Sequence, residues 1–324
     1  MCFQLNPDVG AALAAMAGPN APPPISVGDV DTRRVVLDAI FRKASATLEP
    51  IKGVDVKDIH IEAQDGHKLL ARWYTSTTHP APGSAVLYSH GGGYIALSLE
   101  VYDHIIKNYV ANTGVPILAV EYRLAPEVRA PVPVQDVYTG LQYLHTNATS
   151  LGIDPNRIAV MGDSAGGGLS AALAHYNKVQ PQPLPIKKQI LIYPMLDDTN
   201  TDPSSRIHTS IAPFLLWKMD DNITAWGALL GRQTSASDSI PTTHAPARST
   251  VEEAQGLPPA YIDVGELDLF REEDLQYASL LGRAGVSCEF HLVPGVPHAF
   301  ETVAPGSEVA KRVMARRFAV LKEL

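Results

Sequence analysis

Short apolar runs alternate with longer amphipathic stretches over most of this chain. Such continuous apolar strands are what a parallel sheet covered on both faces requires. Strands that alternate with helical stretches indicate an α/β fold with helices on both sides of the sheet. The six runs are 84–90, 115–122, 157–162, 188–194, 259–265 and 288–294.

Before these runs the pattern is different. Residues 31–48 carry Val35, Val36, Ile40 and Phe41 at helical spacing. From about residue 54 two alternating runs flank Asp65-Gly66, which predicts a β-hairpin. With the six apolar runs, the hairpin brings the predicted sheet to eight strands.

One interval interrupts the alternation, because residues 197–231 contain no strand pattern. Residues 197–205 are typical of a loop, and 211–231 show an amphipathic helical stripe. The stripe consists of Ile211, Leu215, Met219, Ile223, Trp226 and Leu230. Its position between two core strands suggests an inserted lid.

Composition removes several classes of protein. A net charge of −8 over 324 residues argues against nucleic-acid binding, and no apolar run reaches the ~18 residues of a membrane span. The stretch 9–18 lacks the basic flank of a secretory signal and is predicted to be a helix. Cys2 and Cys288 are too few for a disulfide framework, which favours a cytoplasmic location.

Residues 162–166 form a G-x-S-x-G pattern around Ser164. A strand pattern precedes it and a helical pattern follows it, which is the strand–turn–helix context that a nucleophile elbow needs. The predicted turn holds the Ser164 hydroxyl above the sheet, at the N-terminal end of a helix whose dipole favours negative charge.

A serine hydroxyl needs a base and an acid, and in this architecture they follow the serine in the order acid, then histidine. His298 directly follows the last strand in a loop, where parallel sheets carry their chemistry, and is the predicted base. Asp268 is the better placed acid, and spacing alone leaves Glu266 open.

Three consecutive glycines, Gly91, Gly92 and Gly93, follow the run that ends at His90. Without side chains, their backbone N–H groups can face the Ser164 hydroxyl. Gly92 and Gly93 are the first choice as donors, with Gly91 shaping the turn and His90 bracing the loop. No metal or cofactor is expected, since H-E-x-x-H and phosphate-binding loop motifs are absent.

Together these residues closely resemble the hormone-sensitive-lipase family of α/β-hydrolases. The motifs are HGGGY (90–94), YRLAPE (122–127), GDSAGG (162–167), ELD with its acidic cluster (266–274) and PHAF (297–300). The resemblance implies the α/β-hydrolase fold and a triad of Ser164, Asp268 and His298, although Leu269 stands where the family often has proline. It also implies a helical cap from 1–50 and 197–231 over a catalytic domain of 51–196 and 232–324.

The implied reaction is hydrolysis of short- to medium-chain carboxylic esters through an acyl-enzyme on Ser164. Backbone N–H groups of the glycine loop and of Ala165 would hold the oxyanion. Tyr94, Phe214, Leu215 and Trp217 are the expected substrate-binding residues.

Two alternatives to ester hydrolysis stay open, and the oligomeric state is a separate prediction. The same triad also cleaves lactones, acetylated metabolites and amides, so each of these is an alternative class of substrate. A non-catalytic small-molecule receptor shares the fold, but the presence of His298 disfavours it. The last strand, 288–293, would lie at a sheet edge and could pair with a second copy of the chain as a homodimer.

Overall fold

The computed structural model describes residues 3–16, 24–46, 48–202, 204 and 206–324. Cys2, the end of the stretch 9–18 and most of the proline-rich segment 19–26 lie outside these ranges.

The described residues form eight strands and twelve α-helices. The strands are β1 Val54–Glu62, β2 Lys68–Ser76, β3 Ala85–Ser89, β4 Ile117–Val120, β5 Ile158–Asp163, β6 Gln189–Ile192, β7 Ala260–Gly265 and β8 Cys288–Val293. The helices are α1 Pro7–Met16, α2 Val30–Ala46, α3 Leu99–Thr113, α4 Val132–Thr146, α5 Ala148–Leu151, α6 Ala165–Lys178, α7 Arg206–Ile211, α8 Met219–Leu230, α9 Val251–Ala254, α10 Arg271–Arg283, α11 Phe300–Val303 and α12 Glu308–Lys322.

All eight strands belong to one sheet, in the order β1-β2-β4-β3-β5-β6-β7-β8. The predicted hairpin forms β1 and β2, which join the sheet antiparallel. The six later strands, β3 to β8, pair in parallel with one another. The predicted eight-stranded, mostly parallel α/β fold is therefore confirmed.

Helices cover both faces of this sheet, as adjacent residues of β3 show. The Leu87 side chain points towards Gly140 of α4, whereas the next residue, Tyr88, packs its ring near Tyr102 and Tyr109 of α3. Successive side chains of a strand point to opposite faces, so α3 and α4 lie on opposite sides. Every residue of β3 to β7 is buried, which explains their continuous apolar character.

The helix predicted over 211–231 is wrong in its first third. α7 ends at Ile211, a short 3-10 turn covers Ala212–Phe214, and α8 begins only at Met219. Pro213 lies inside that turn, and proline favours the first turn of a helix because it lacks an N–H to donate. The apolar stripe therefore belongs to two separate segments.

The helix predicted over 31–48 does form, as α2, but three of its four apolar residues at helical spacing stay more than a third exposed. Val35 is 70% exposed, Val36 is 37% exposed and Ile40 is 46% exposed. The side of α2 that meets the body carries Leu37 and Phe41, both packed against the main core.

Among the described residues, none of the helices has the length and apolar character needed to cross a lipid bilayer.

Candidate active site

Ser164 occupies a tight turn between β5 and α6. Its backbone has φ 57° and ψ −121°, in the left-handed half of the map that non-glycine residues rarely adopt. A Cβ atom at Gly162 would lie 2.3 Å from the backbone of Gly166, and one at Gly166 would lie 2.0 Å from the carbonyl oxygen of Ser89. Glycine is therefore required on both sides of Ser164, because the turn packs too closely against α6 and β3 to leave room for a side chain.

His298 stands within hydrogen-bond distance of both its predicted partners. The Ser164 hydroxyl lies 3.0 Å from His298 Nε2, and His298 Nδ1 lies 2.7 Å from Asp268 Oδ2. The three side chains follow β5, β7 and β8, so they meet at the carboxyl edge of the sheet. All three are buried, with Asp268 fully inaccessible.

The two acids that spacing left open have different partners. Asp268 accepts from His298 with one oxygen and from the Phe270 N–H, at 3.0 Å, with the other. Glu266 instead accepts the N–H of Gly295 at 2.9 Å, in the loop that carries the histidine. Asp268 therefore contacts the imidazole, and Glu266 braces the backbone of its loop.

The imidazole of His298 packs against two aromatic rings in edge-to-face arrangements. The Tyr193 ring lies 4.5 Å from it, centroid to centroid, at an interplanar angle of 62°. Phe270 lies 5.1 Å away at 89°. These two contacts limit rotation of the imidazole about the Cα–Cβ and Cβ–Cγ bonds of His298.

The glycine loop comes against the serine from the neighbouring strand β3. A Cβ at Gly91 would lie 3.3 Å from Ser164 Cβ. Gly92 has φ 115° and leaves no room for a side chain, because its Cβ would lie 2.1 Å from the Ala96 carbonyl oxygen. Gly93 has φ 62°, and the Trp217 ring fills the place of its Cβ. Only glycine fits at these positions.

Backbone N–H groups remain available at this edge. In the part of the chain that the structure describes, no backbone carbonyl accepts from the N–H of Gly92 or Gly93. Ala165 is the first residue of α6, where N–H groups have no partner within the helix. Gly92, Gly93 and Ser164 line the same cavity, so donors and nucleophile face a common space.

The glycine loop is held from behind by His90 and Tyr122. His90 Nδ1 donates to the Gly91 carbonyl oxygen at 2.7 Å, and the buried His90 ring stacks on Tyr122 at 4.4 Å. The Tyr122 hydroxyl donates in turn to the His90 carbonyl oxygen at 2.8 Å. His90 thus contacts the loop and not Ser164, as expected of a bracing residue.

The cavity in front of Ser164 has a volume of about 320 Å³ and mostly apolar walls. The N-terminal helices and the residues before α8 contribute Leu13, Met16, Leu37, Ile40, Phe41, Ala44, Leu216 and Trp217 to its lining. The rest of the lining consists of Gly92, Gly93, Leu97, Tyr102, Ile105, Asp163, Ser164, Tyr193, His298, Ala299, Thr302 and Val303.

Of the four predicted substrate-binding residues, only Trp217 lines this cavity. Tyr94 has φ 63°, and its hydroxyl donates to the Met195 carbonyl oxygen at 2.9 Å, so its side chain is buried away from the site. Phe214 and Leu215 pack into the core. Because the helix is broken before Met219, the neighbouring Leu216 reaches the cavity in their place.

Helix α2 contributes cavity-lining residues that the sequence did not lead us to predict. Leu37, Ile40, Phe41 and Ala44 follow the i, i+3, i+4, i+7 spacing of one helix face, and all four line the cavity. A strict application of that spacing would have chosen this face over one containing Val35 and Val36.

Asp163 directly precedes the serine, and its carboxyl has a strongly altered acidity. Burial raises the pKa of its carboxyl to about 7, against an opposing effect of the Arg317 guanidinium. Its Oδ1 has no hydrogen-bond partner among the described residues. The carboxyl is therefore largely protonated in weakly acidic solution and gains charge towards pH 8.

Comparison with known proteins agrees with this geometry. A family model described as "alpha/beta hydrolase fold" matches residues 86–302, which include all three residues of the Ser164–His298–Asp268 arrangement. The chain belongs to this family, and within it to the hormone-sensitive-lipase-like group.

Individual relatives narrow the class of enzyme. The chain is 32% identical over 309 residues to ethyl acetate hydrolase of Pseudomonas putida, with 92% of each protein covered. It is 35% identical over 237 residues to carboxylesterase NlhH of Mycobacterium tuberculosis, covering 73% of this chain and 72% of that protein. A solved bacterial heroin esterase is similar with a TM-score of 0.88 and 33% identity, covering 99% of this chain and 98% of that one. This chain is accordingly a hydrolase of the carboxylesterase type.

Proposed function

We propose that this carboxylesterase hydrolyses short- to medium-chain esters through an acyl-enzyme formed on Ser164. The observation that carries the proposal is the continuous hydrogen-bonded chain from Ser164 Oγ through His298 to Asp268, at 3.0 and 2.7 Å. Nucleophile, base and orienting acid thus lie at the distances that acyl transfer needs.

The reaction begins when His298 Nε2 takes the Ser164 proton as Oγ attacks the ester carbonyl. Asp268 accepts from Nδ1–H, which fixes the tautomer and stabilises the imidazolium that forms. His298 then gives its proton to the departing alcohol. Water, deprotonated by the same imidazole, releases the acid and restores Ser164.

The tetrahedral oxyanion would be held by the N–H groups of Gly92, Gly93 and Ala165. This assignment is supported because, among the described residues, the N–H groups of Gly92 and Gly93 have no backbone acceptor and both residues line the same cavity as Ser164. One donor of this kind is typically worth about 3 kcal/mol of barrier. Gly91 contributes the close approach of the loop to Ser164.

The size of the cavity supports substrates with short or medium acyl chains. A volume of about 320 Å³ lies at the small end of ligand pockets, and its walls are largely apolar. A second cavity of about 470 Å³ shares Phe41, Ala44, Ile105, Asp163 and Thr302 with the first. A longer acyl chain would extend past these shared residues into the second cavity.

We further propose that residues 1–50 and 197–231 act as a cap over the body formed by 51–196 and 232–324. α1, α2 and residues 216–217 supply the cap-side wall of the cavity. Arg33 of α2 binds Asp221 of α8 at 2.8 Å, which joins the two parts of the cap.

A homodimer through β8 and a cytoplasmic location complete the proposal. β8 is an edge strand with mostly accessible side chains, which supports pairing with a second copy. Light scattering on the purified protein tests the dimer, and cell fractionation tests the location, which the low cysteine content supports. The acidic net charge supports a small-molecule partner over a nucleic acid.

The enzymatic proposal is tested with p-nitrophenyl acetate and butyrate. Wild type should hydrolyse both, and Ser164→Ala should fall to the background rate. Ser170→Ala, a buried serine on α6 that does not line the cavity, is the matched control and should keep full activity. Equal background rates for wild type and Ser164→Ala would contradict the proposal.

A further inference from the structure

Tyr193 holds an unusual backbone conformation beside the histidine. It directly follows β6 with φ 33°, a positive value that a tyrosine adopts only under constraint from its surroundings. Its N–H donates to the Asp263 carbonyl oxygen at 2.7 Å, which fixes the backbone. In this conformation the ring packs against the His298 imidazole in an edge-to-face arrangement.

The hydroxyl of Tyr193 is fixed as well. It donates to Glu301 Oε1 at 2.8 Å, and Glu301 lies on α11, three residues after His298 in the chain. The same carboxyl receives a hydrogen bond from Arg317 of α12. Glu301 is therefore the meeting point of the histidine loop, the end of β6 and α12.

Arg317 is itself held rigidly. Its side chain is fully buried and forms two hydrogen bonds to Asp263 of β7, at 2.8 and 2.7 Å. Its guanidinium lies 5.4 Å from the centre of the Tyr193 ring. A buried bidentate pair of this kind has strong directional preference, so the network has little freedom to shift.

We propose that Glu301 and Tyr193 are positioning residues for His298. The Tyr193–Glu301 hydrogen bond holds the Tyr193 ring against the imidazole and keeps Nε2 directed at Ser164. The inference rests on the proposed function, because residues that position His298 affect the reaction only if the Ser164–His298–Asp268 triad is catalytic. Among the described residues, neither Tyr193 nor Glu301 forms a hydrogen bond to Ser164 or His298, so their effect on the reaction passes through the packing of the Tyr193 ring on the imidazole.

Tyr193→Phe and Glu301→Ala test the proposal by removing opposite ends of one hydrogen bond. We expect each to lower kcat for p-nitrophenyl butyrate roughly tenfold while KM stays within about twofold, because a misplaced base slows chemistry more than binding. The rate at which a neutral alkyl fluorophosphonate labels Ser164 should fall in parallel with kcat. Melting temperatures are measured alongside.

Tyr74→Phe is the matched control. The Tyr74 hydroxyl also donates to a carboxylate, that of the partly exposed Asp103 at 3.3 Å, but Tyr74 does not line the catalytic cavity. It should lose some stability and keep kcat and the labelling rate.

The inference is overturned if Tyr193→Phe and Glu301→Ala keep kcat within about twofold of wild type. It is equally overturned if Tyr74→Phe loses as much kcat as they do, since the effect would then be general destabilisation. Where one of the two variants does not fold, the other decides. A wild type with no hydrolysis above the Ser164→Ala background would instead contradict the proposed function, which separates the two failures.

Discussion

The sheet edge and the proposed cap contribute to the lining of one cavity in different ways. At the sheet edge, Ser164, Asp268 and His298 are buried and joined by short hydrogen bonds. On the cap side, the lining is supplied by apolar side chains of α1, α2 and residues 216–217. Met16, Ile40 and Leu216 of that lining are each more than a third exposed.

This difference separates the residues that carry out the reaction from those that determine which substrates fit. Groups that move protons need fixed distances, which the sheet provides through backbone contacts that tolerate no added atoms. Groups that enclose an acyl chain need only apolar surface, which many side chains can provide. We therefore expect large effects at the edge, expressed in kcat, and small effects in the cap, expressed in substrate preference.

The largest effect should follow removal of the base. His298→Ala should lower kcat by about 10⁴- to 10⁶-fold, because Ser164 loses its proton acceptor and Asp268 loses its partner. Stopped assays with p-nitrophenyl butyrate measure the loss. His291→Ala on β8, whose ring contacts Glu289 away from the cavity, should remain active.

Next in size is the glycine loop. Gly92→Ala places a methyl group against the Ala96 carbonyl oxygen and displaces the oxyanion donors, so kcat should fall roughly 10²- to 10³-fold with KM nearly unchanged. Steady-state kinetics and a circular dichroism spectrum distinguish this from unfolding. Gly282→Ala on α10, where an added Cβ meets no neighbouring atom, should match wild type. A Gly92→Ala enzyme with normal kcat would remove the loop from the mechanism.

A third effect concerns stability and comes from Asp163. Its pKa is raised from 3.8 to about 7 by burial, so the folded state binds a proton that the unfolded state has already released. This contribution to stability is complete below pH 3.8 and is lost as pH rises through 7. Between pH 6 and 8 the term should lower the free energy of unfolding by roughly 1 kcal/mol.

Urea titrations at pH 6 and pH 8 measure this slope. Asp163→Asn cannot ionise and should flatten it by the stated amount, whereas Asp55→Asn at an exposed position of β1 should keep the wild-type slope. Parallel slopes for wild type and Asp163→Asn would show that the buried carboxyl keeps an ordinary acidity.

The smallest effect belongs to the cap. Ile40→Ala should reduce hydrolysis of p-nitrophenyl octanoate roughly threefold relative to acetate, because one apolar wall is shortened. Val35→Ala on the same helix does not line the cavity and should change neither rate. Equal losses on acetate and octanoate would mean that α2 supports the catalytic groups themselves.

The same contrast explains how much could be predicted from the sequence. The strands and the residues that follow them were predictable, because a tight turn at Ser164 demands glycine at 162 and 166 and leaves a visible pattern. The acid and the histidine then had to follow later strands, and the geometry brings both to Ser164.

The lining was not predictable to the same extent. Tyr94 adjoins the glycine loop in the chain, but its positive φ turns the side chain towards Met195. Leu216 replaces Phe214 and Leu215 because the chain breaks from a helix near Pro213, which shifts the side chains that face the cavity. Cap positions need only be apolar, so no residue type marks them.

Ser164 is proposed to carry the acyl group of the substrate during turnover, and rapid acid quenching traps that intermediate. Wild type mixed with excess p-nitrophenyl butyrate should release a burst of about one p-nitrophenol per active site, and mass spectrometry of the quenched protein should find the butyryl group on Ser164. A linear release with no burst and no adduct, or an adduct on another residue that persists in Ser164→Ala, would contradict the account.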